Sequence, residues 1–393
     1  MRRLVAPGLL AALLLATFVI RGPITSVPPA LSLVRDDLSL SATAAGLVTT
    51  LPVVCFGVFA CVTPLLAARV GIERTLGVAL AAICVGLAVR LVHAAEPFFA
   101  GTLLIGLGIA MANVVIPAIA RAHFARSLSK VMGRYTVMIQ VSGATGAFLT
   151  RPLVDGAGWS WTWAIGIWLV PAVLVLVVWV LAARGAAPDR AQPRAAVTRM
   201  RTVLNRPITW GIVLVMGLQS LVFFSLVNWL PTLLHGQGWS PGAAGTALGI
   251  FSLLGMPGSL LGGLILGSHR RTTIVMALTA GFALGLVLLV CGTIAAGIGV
   301  LLCGLCQGPA LAVALSAIAG QVEPADVPAT SAIGQGVGYL LAACGPVAIG
   351  ALYGARGDFL FAMAALVGVM LVWGTATTLV GRAQADAKLA PTG

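Results

Sequence analysis

Long apolar runs separated by short polar breaks set the pattern of this chain. A helix crossing ~30 Å of hydrocarbon needs about 20 such residues, and 393 residues divide into twelve spans of that size. The pattern predicts helices over Pro7 to Val34, Ser41 to Ala68, Thr75 to His93, Pro97 to Ala122, Val131 to Gly156 and Trp159 to Ala183. Six more follow over Pro207 to His235, Pro241 to Ser268, Thr272 to Thr293, Ala295 to Val322, Val327 to Gly354 and Asp358 to Arg382. Residues 184–206 break the rhythm with six Arg, two Pro and little apolar periodicity, so they read as a basic linker. The expected architecture is an all-α integral membrane protein with two six-helix bundles, residues 1–183 and 207–393. The first run follows Met1-Arg2-Arg3, as a secretory leader does. It continues past Arg21 to Val34 without a small-residue cleavage site and is read as a retained span.

Composition removes the soluble alternative. Hydrophobic residues make up 60% of the chain and charged residues 8%, against about 25% charged in soluble domains. The formal net charge of +13 would suggest nucleic acid in a soluble protein, but the distribution of charge gives another reason for it. Eighteen of the 23 Lys and Arg fall on one side of the segmentation, from Arg2 and Arg3 through Arg69, Arg74, Arg121 and the linker to Arg382 and Lys388. The opposite loops hold Arg35 and Arg356 beside Asp36, Asp37, Glu96 and Asp358. This is the positive-inside bias, and it places both termini in the cytoplasm.

Against that background Arg21 stands out. No other charge occurs from Leu9 to Val34, and Gly22-Pro23 directly follows it. A cation at this depth is costly unless it meets a wet cavity or a partner. Pro23 also frees backbone groups that need protein or water. Arg21 therefore either binds a negative guest through its planar donor fork or bonds the carbonyls freed at the break. Arg90 and Arg151 lie toward the exterior ends of their spans, as anion attractors or as structural side chains. Arg151 is four residues from Asp155, the spacing of a helix ion pair. Asn113, Gln140, Gln219, Asn228, Gln307 and Gln335 are amides inside spans, each serving as interhelical glue or as a solute ligand. Phe223, Phe224, Trp229 and Tyr339 are either cavity walls or packing, and Trp159, Trp161 and Trp163 read as an interfacial belt.

Enzyme and metal signals are absent from the sequence. No glycine-rich phosphate loop precedes a helix, and His93, His123, His235 and His269 sit near span ends without metal spacing. All seven cysteines fall inside spans and read as small packed hydrophobes, with no disulfide expected. No acid lies deep in a span, which leaves proton coupling open.

The halves are weakly repeated. Gln140-Val-Ser-Gly143 precedes Arg151-Pro152 in the fifth span, and Gln335-Gly-Val-Gly338 precedes Gly345-Pro346 in the eleventh. The fourth and tenth spans share glycine-rich openings and the internal prolines Pro117 and Pro309. Parallel six-helix repeats joined by a basic loop point to the major facilitator architecture, with a site at the midplane between the bundles.

Specific runs narrow this further. They are Arg21 in a broken first span, Thr49-Thr50-Leu51-Pro52, Arg90, Asn113-Val-Val-Ile-Pro117, Ser220-Leu-Val-Phe-Phe224, Trp229-Leu-Pro231 and Gly334-Gln-Gly-Val-Gly-Tyr-Leu-Leu-Ala-Ala-Cys-Gly-Pro346. In these the chain resembles the cyanate and 2-nitroimidazole transporter family of the major facilitator superfamily, over both halves. The resemblance implies twelve helices, alternating access and movement of small anionic or weakly polar solutes. It departs at Ala68, where the superfamily usually carries an Asp before its Arg, here Arg69.

The expected function is therefore uptake of a small anionic or polar organic solute across the inner membrane by a monomer, with no cofactor and no nucleic-acid partner. An exporter of drugs or metabolites on the same fold is the alternative. A membrane sensor would need a signalling domain for which the chain has no room.

Overall fold

The computed structural model describes residues 2–124, 127–183, 200–260, 270–319 and 326–389, and among these every regular element is a helix. The first span is α1 (Arg2–Phe18), α2 (Gly22–Thr25), a 3-10 turn (Pro28–Ala30) and α3 (Leu31–Asp37). Then come α4 (Ala42–Val70), α5 (Ile72–Arg90), α6 (Ala95–Phe124) and α7 (Leu128–Arg151), which ends in a π turn over Pro152–Gly156. The sixth span is α8 (Trp161–Gly166) with α9 (Leu169–Ala183). The second half contains α10 (Pro207–Gly236), α11 (Pro241–Leu260), α12 (Arg271–Leu288), α13 (Thr293–Ala319), α14 (Val327–Arg356) and α15 (Leu360–Leu389).

Nine of the described helical segments are long and apolar enough to cross a bilayer. Adding α4, bent by 43° near residue 49, and the more polar or glycine-rich α7 and α11 gives the twelve expected spans. Most predicted boundaries hold to within a few residues, but α12 stops five residues before the expected Thr293 and α15 runs seven past the expected Arg382. Residues 184–199, most of the expected linker, and the predicted ends at Ser268 and Val322 lie outside the described residues, as do the side chains of Cys61 and Ala68.

Three spans are broken, each with a local cause; the break in the first was expected at Gly22-Pro23, and those in the fifth and sixth were not. The first opens at residues 18–22, before Pro23. The fifth widens into its π turn at Pro152, which has no N–H to continue the ladder. The sixth kinks at residues 167–168, where the Trp168 ring enters the notch left at Gly22. Ser41 caps α4 by accepting the Ala44 N–H at 3.1 Å. Gly71, at φ +95°, turns the chain from α4 into α5.

The helices alternate in direction, so one end of the molecule gathers Arg69, Arg74, Arg121, Arg206, Arg270, Arg271 and Arg382. This is called the basic end, and the other the far end. Backbones meet closely through small residues. A Cβ on Gly86 of α5 would fall 2.7 Å from the Gly101 carbonyl of α6. One on Gly299 of α13 would fall 2.7 Å from the Gly285 carbonyl of α12, the equivalent pair in the repeat. Cys303 and Cys306 of α13 pack over Gly285 and Gly281, as small hydrophobes.

At the far end the halves are shut. A Cβ on Gly46 of α4 would lie 2.7 Å from the Pro346 carbonyl of α14, and one on Gly350 equally close to the Ala42 carbonyl. The Thr50 hydroxyl donates to the Ala343 carbonyl at 3.0 Å. Phe148 of α7 lies against Gly249 of α11. Apolar core residues from both halves, including Val27, Leu31, Val48, Leu226 and Leu230, form one continuous cluster there.

Candidate functional site

The break in the first span is built by side chains from other helices. In an unbroken helix the Gly22 N–H would bond to the Phe18 carbonyl. Here the Ser142 hydroxyl of α7 stands between them, accepting the Gly22 N–H at 2.8 Å and donating to Phe18 O. A side chain inserted into the i→i−4 ladder is a sufficient cause for a sharp kink. Pro23 prevents the next bond. The Pro23 carbonyl, which also lacks its usual backbone donor, accepts from Arg90 Nη1 at 2.9 Å. The Ser26 carbonyl accepts from Thr150 at 2.9 Å.

This break aims Arg21 into a central cavity of about 370 Å³ between the halves. Gly143 of α7 makes room for the Arg21 stem, since a Cβ there would lie 3.1 Å from its Cγ. The guanidinium carbon lies 4.7 Å from the Phe223 ring centre and 5.6 Å from that of Phe224, within cation–π range. Among the described residues the guanidinium has no hydrogen bond or ion pair, and no Asp or Glu lines the cavity. Phe56, Phe224 and Tyr339 form a mutual ring cluster on one wall, with centroids 5.6–6.2 Å apart.

The amides divide by partner. The Gln140 side-chain nitrogen donates across the halves to the Ser252 carbonyl at 2.6 Å, and Gln307 donates to Phe251 O at 3.3 Å. Gln219 donates to Ser220 at 2.7 Å and Gln335 to Ser331 at 2.8 Å. The Tyr135 hydroxyl donates to Asn113 at 3.4 Å. These donors are engaged within the protein, leaving the Arg21 fork as the cavity's charged donor. The space continues toward the basic end past Ala60, Pro64, Ser331 and Ala332, through a further volume of about 240 Å³.

The structure thus brings Arg21, Asn113, Gln140, Gln219, Phe223, Gln307, Gln335 and Tyr339 to one cavity. It keeps Arg151, Asn228 and Trp229 out of it. Arg151 is buried at the far end, with Nε 3.1 Å from Asp155 across one helical turn. Asn228 is fully buried inside α10. The Trp229 indole donates to the Pro346 carbonyl at 2.8 Å and packs at a tilt against Tyr353 and Phe359, bracing the closed seam. Arg90 is structural: buried, its Nε and Nη2 reach Thr102 and it lies over the Phe98 ring. Sequence reasoning passed over Tyr135, Phe56 and Ser142. Glu73, in the first turn of α5 rather than deep in a span, is buried, its carboxylate 2.8 Å from His123 Nε2. A pairing across fifty residues leaves no local signal.

Comparison with known proteins bears on the family and the fold. The Major Facilitator Superfamily sequence model matches residues 13–303. The 2-nitroimidazole transporter of Escherichia coli is 31% identical over 385 residues, covering 93% of this chain and 94% of that one. The cyanate transport protein CynX of the same organism is 28% identical over 379 residues, covering 93% and 96%. In fold, the chain matches a bacterial homologue of the human lysosomal transporter Spinster, solved inward-facing and unoccupied. The TM-score is 0.76 at 14% identity, covering 97% and 98% of the two chains. The chain belongs to the major facilitator superfamily, a membrane-embedded transporter of small solutes and not an enzyme.

Proposed function

We propose that the chain takes up a small solute bearing an anionic or electron-rich group across the inner membrane by alternating access, with Arg21 as the central ligand. The reading rests on one observation. A guanidinium with no acidic partner among the described residues faces a cavity between two halves and lies over the Phe223 and Phe224 rings. A fixed cation in a low-dielectric cavity attracts a negative guest and disfavours a cationic one. A cavity of about 370 Å³ suits a solute of a few heavy atoms to a small heterocycle. The related nitroimidazole and cyanate transporters support the same size class.

In this reading residues 1–183 and 207–393 are the two moving bodies and 184–206 joins them. The basic end faces the cytoplasm by the positive-inside rule, so the structure, shut at the far end, stands in the inward-open state. An exporter of cationic drugs is disfavoured by the same lone guanidinium.

The test is a thermal-shift screen of the purified protein against cyanate, nitrate, short carboxylates and neutral heterocycles, since a ligand of the folded state raises Tm by mass action. Any hit is repeated on Arg21→Gln and followed by uptake into right-side-out vesicles. Losing two charge-assisted hydrogen bonds at about 1.5–3 kcal/mol each weakens binding by about two to four decades. An Arg21→Gln protein that folds and binds the hit like the wild type rules the proposal out.

A further inference from the structure

A second pocket lies outside the solute pathway, between α12 and α15 at the basic end, with a volume of about 290 Å³. Arg271 and Thr272 open it from the first turn of α12. Thr377, Thr378, Gly381 and Arg382 form its other wall, on one face of α15 at the i, i+4 spacing. Four observations bear on what it holds. The Arg271 guanidinium lies flat against the bare backbone of Gly381, where a Cβ would fall 3.1 Å from its Cζ. Its Nη2 is buried and has no hydrogen-bond partner among the described residues. No acid lines the pocket. The α12 N-terminus, capped by no side chain, adds first-turn N–H groups. The Thr377 and Thr378 hydroxyls are spent on their own helix, donating to Trp373 O and Gly374 O.

We infer that this pocket binds the phosphate group of an anionic molecule, held between Arg271 and Arg382. Two arginines and the first-turn backbone N–H groups match the several acceptor oxygens of a phosphate. The pocket lies at the margin of an exposed apolar surface, where Met276 is 65% and Leu379 60% accessible. In a membrane protein that surface meets acyl chains, so an anionic phospholipid headgroup fits both the basic pocket and its greasy margin. Free phosphate shares the headgroup chemistry but makes no use of the margin.

The experiment uses the full chain in neutral detergent, titrated separately with phosphatidylglycerol, phosphatidylcholine and inorganic phosphate. Hydrogen–deuterium exchange is read on peptides covering residues 271–278 and 377–386. Phosphatidylglycerol is expected to slow exchange in both peptides where phosphatidylcholine does not. Arg271→Gln with Arg382→Gln should weaken that protection by about fivefold for each charge removed, and Arg271→Lys with Arg382→Lys should retain most of it. Inorganic phosphate protecting the same peptides at equal concentration would support the site and identify the free anion as its source. Wild-type peptides that respond to neither phosphatidylglycerol nor phosphate more than to phosphatidylcholine overturn the inference, whether or not the variants fold.

Discussion

Replacing Ser142 with alanine tests how the kink that aims Arg21 is made. The variant removes the single hydroxyl standing between the Phe18 carbonyl and the Gly22 N–H. Both backbone groups are then left without a partner in a buried site. At about 1–3 kcal/mol for each unsatisfied group, the native state loses about 2–6 kcal/mol if the break keeps its shape. The chain could recover one bond by closing Gly22 N–H onto Phe18 O. Closure is opposed by the Trp168 ring, which a Cβ on Gly22 would meet at 2.0 Å, and by Pro23, which blocks the following bond. Closure would swing Arg21, one residue from Gly22, off the Phe223 ring, and a break that keeps its shape without the hydroxyl holds the guanidinium less firmly. The expected result is a lower Tm together with weaker binding of the solute found in the screen. Ser142→Cys, with a weak S–H donor, should fall between the two. The assay is thermal unfolding in detergent with and without solute. A Ser142→Ala protein that matches the wild type in both Tm and affinity refutes the inserted-hydroxyl account.

Three other substitutions separate support, packing and gating. Arg90→Met removes the shorter of two side-chain bonds to the Pro23 carbonyl, leaving the Ser26 hydroxyl at 3.3 Å, and removes the bonds to Thr102. It should cost about 1–3 kcal/mol in thermal stability, and a folded Arg90→Met retaining wild-type Tm would contradict the structural role. Gly308→Ala places a Cβ 1.9 Å from the Gly255 carbonyl. It should force α13 off α11 and reduce the yield of monodisperse protein on size exclusion, whereas normal yield and Tm would refute that contact. Gly46→Val wedges a side chain into the α4–α14 seam, where even a Cβ lies 2.7 Å from Pro346 O. Spin labels at Ser39 and Ala355 should then report a longer far-end distance than in the wild type, and an unchanged distance would count against the seam as the closure.

The helices were legible because each needs a long apolar run, and Gly22-Pro23 announced the break in the first. The placement of Arg21 followed from cost alone: a lone cation in hydrocarbon has to reach a cavity or a partner. The pairing of Arg151 with Asp155 was legible in their spacing, but the role of Arg90 was not, because a buried arginine bonded to a carbonyl and a hydroxyl has the same sequence signature as one awaiting an anion. Trp229 and Asn228 share α10 with Phe223, and only the helix's rotation in its packing decides which of them face the cavity. Ser142 carried no signal at all. One serine in a polar-faced helix becomes informative only when Phe18, 124 residues away, is brought beside it. Glu73 was not singled out, and its surroundings come from distant segments: the Trp179 indole donates to its carbonyl and His123 pairs with its carboxylate.

The stacking of Arg21 on Phe223 and Phe224 joins the two lobes, because the cation comes from the first and the rings from the second. A contact of this kind is worth about 0.5–2 kcal/mol, enough to bias an empty carrier toward staying as it is. A guest that draws the guanidinium off the rings cuts this tether in the act of docking. Loading and loosening are then one event, so a vacant carrier idles while a filled one is free to cycle.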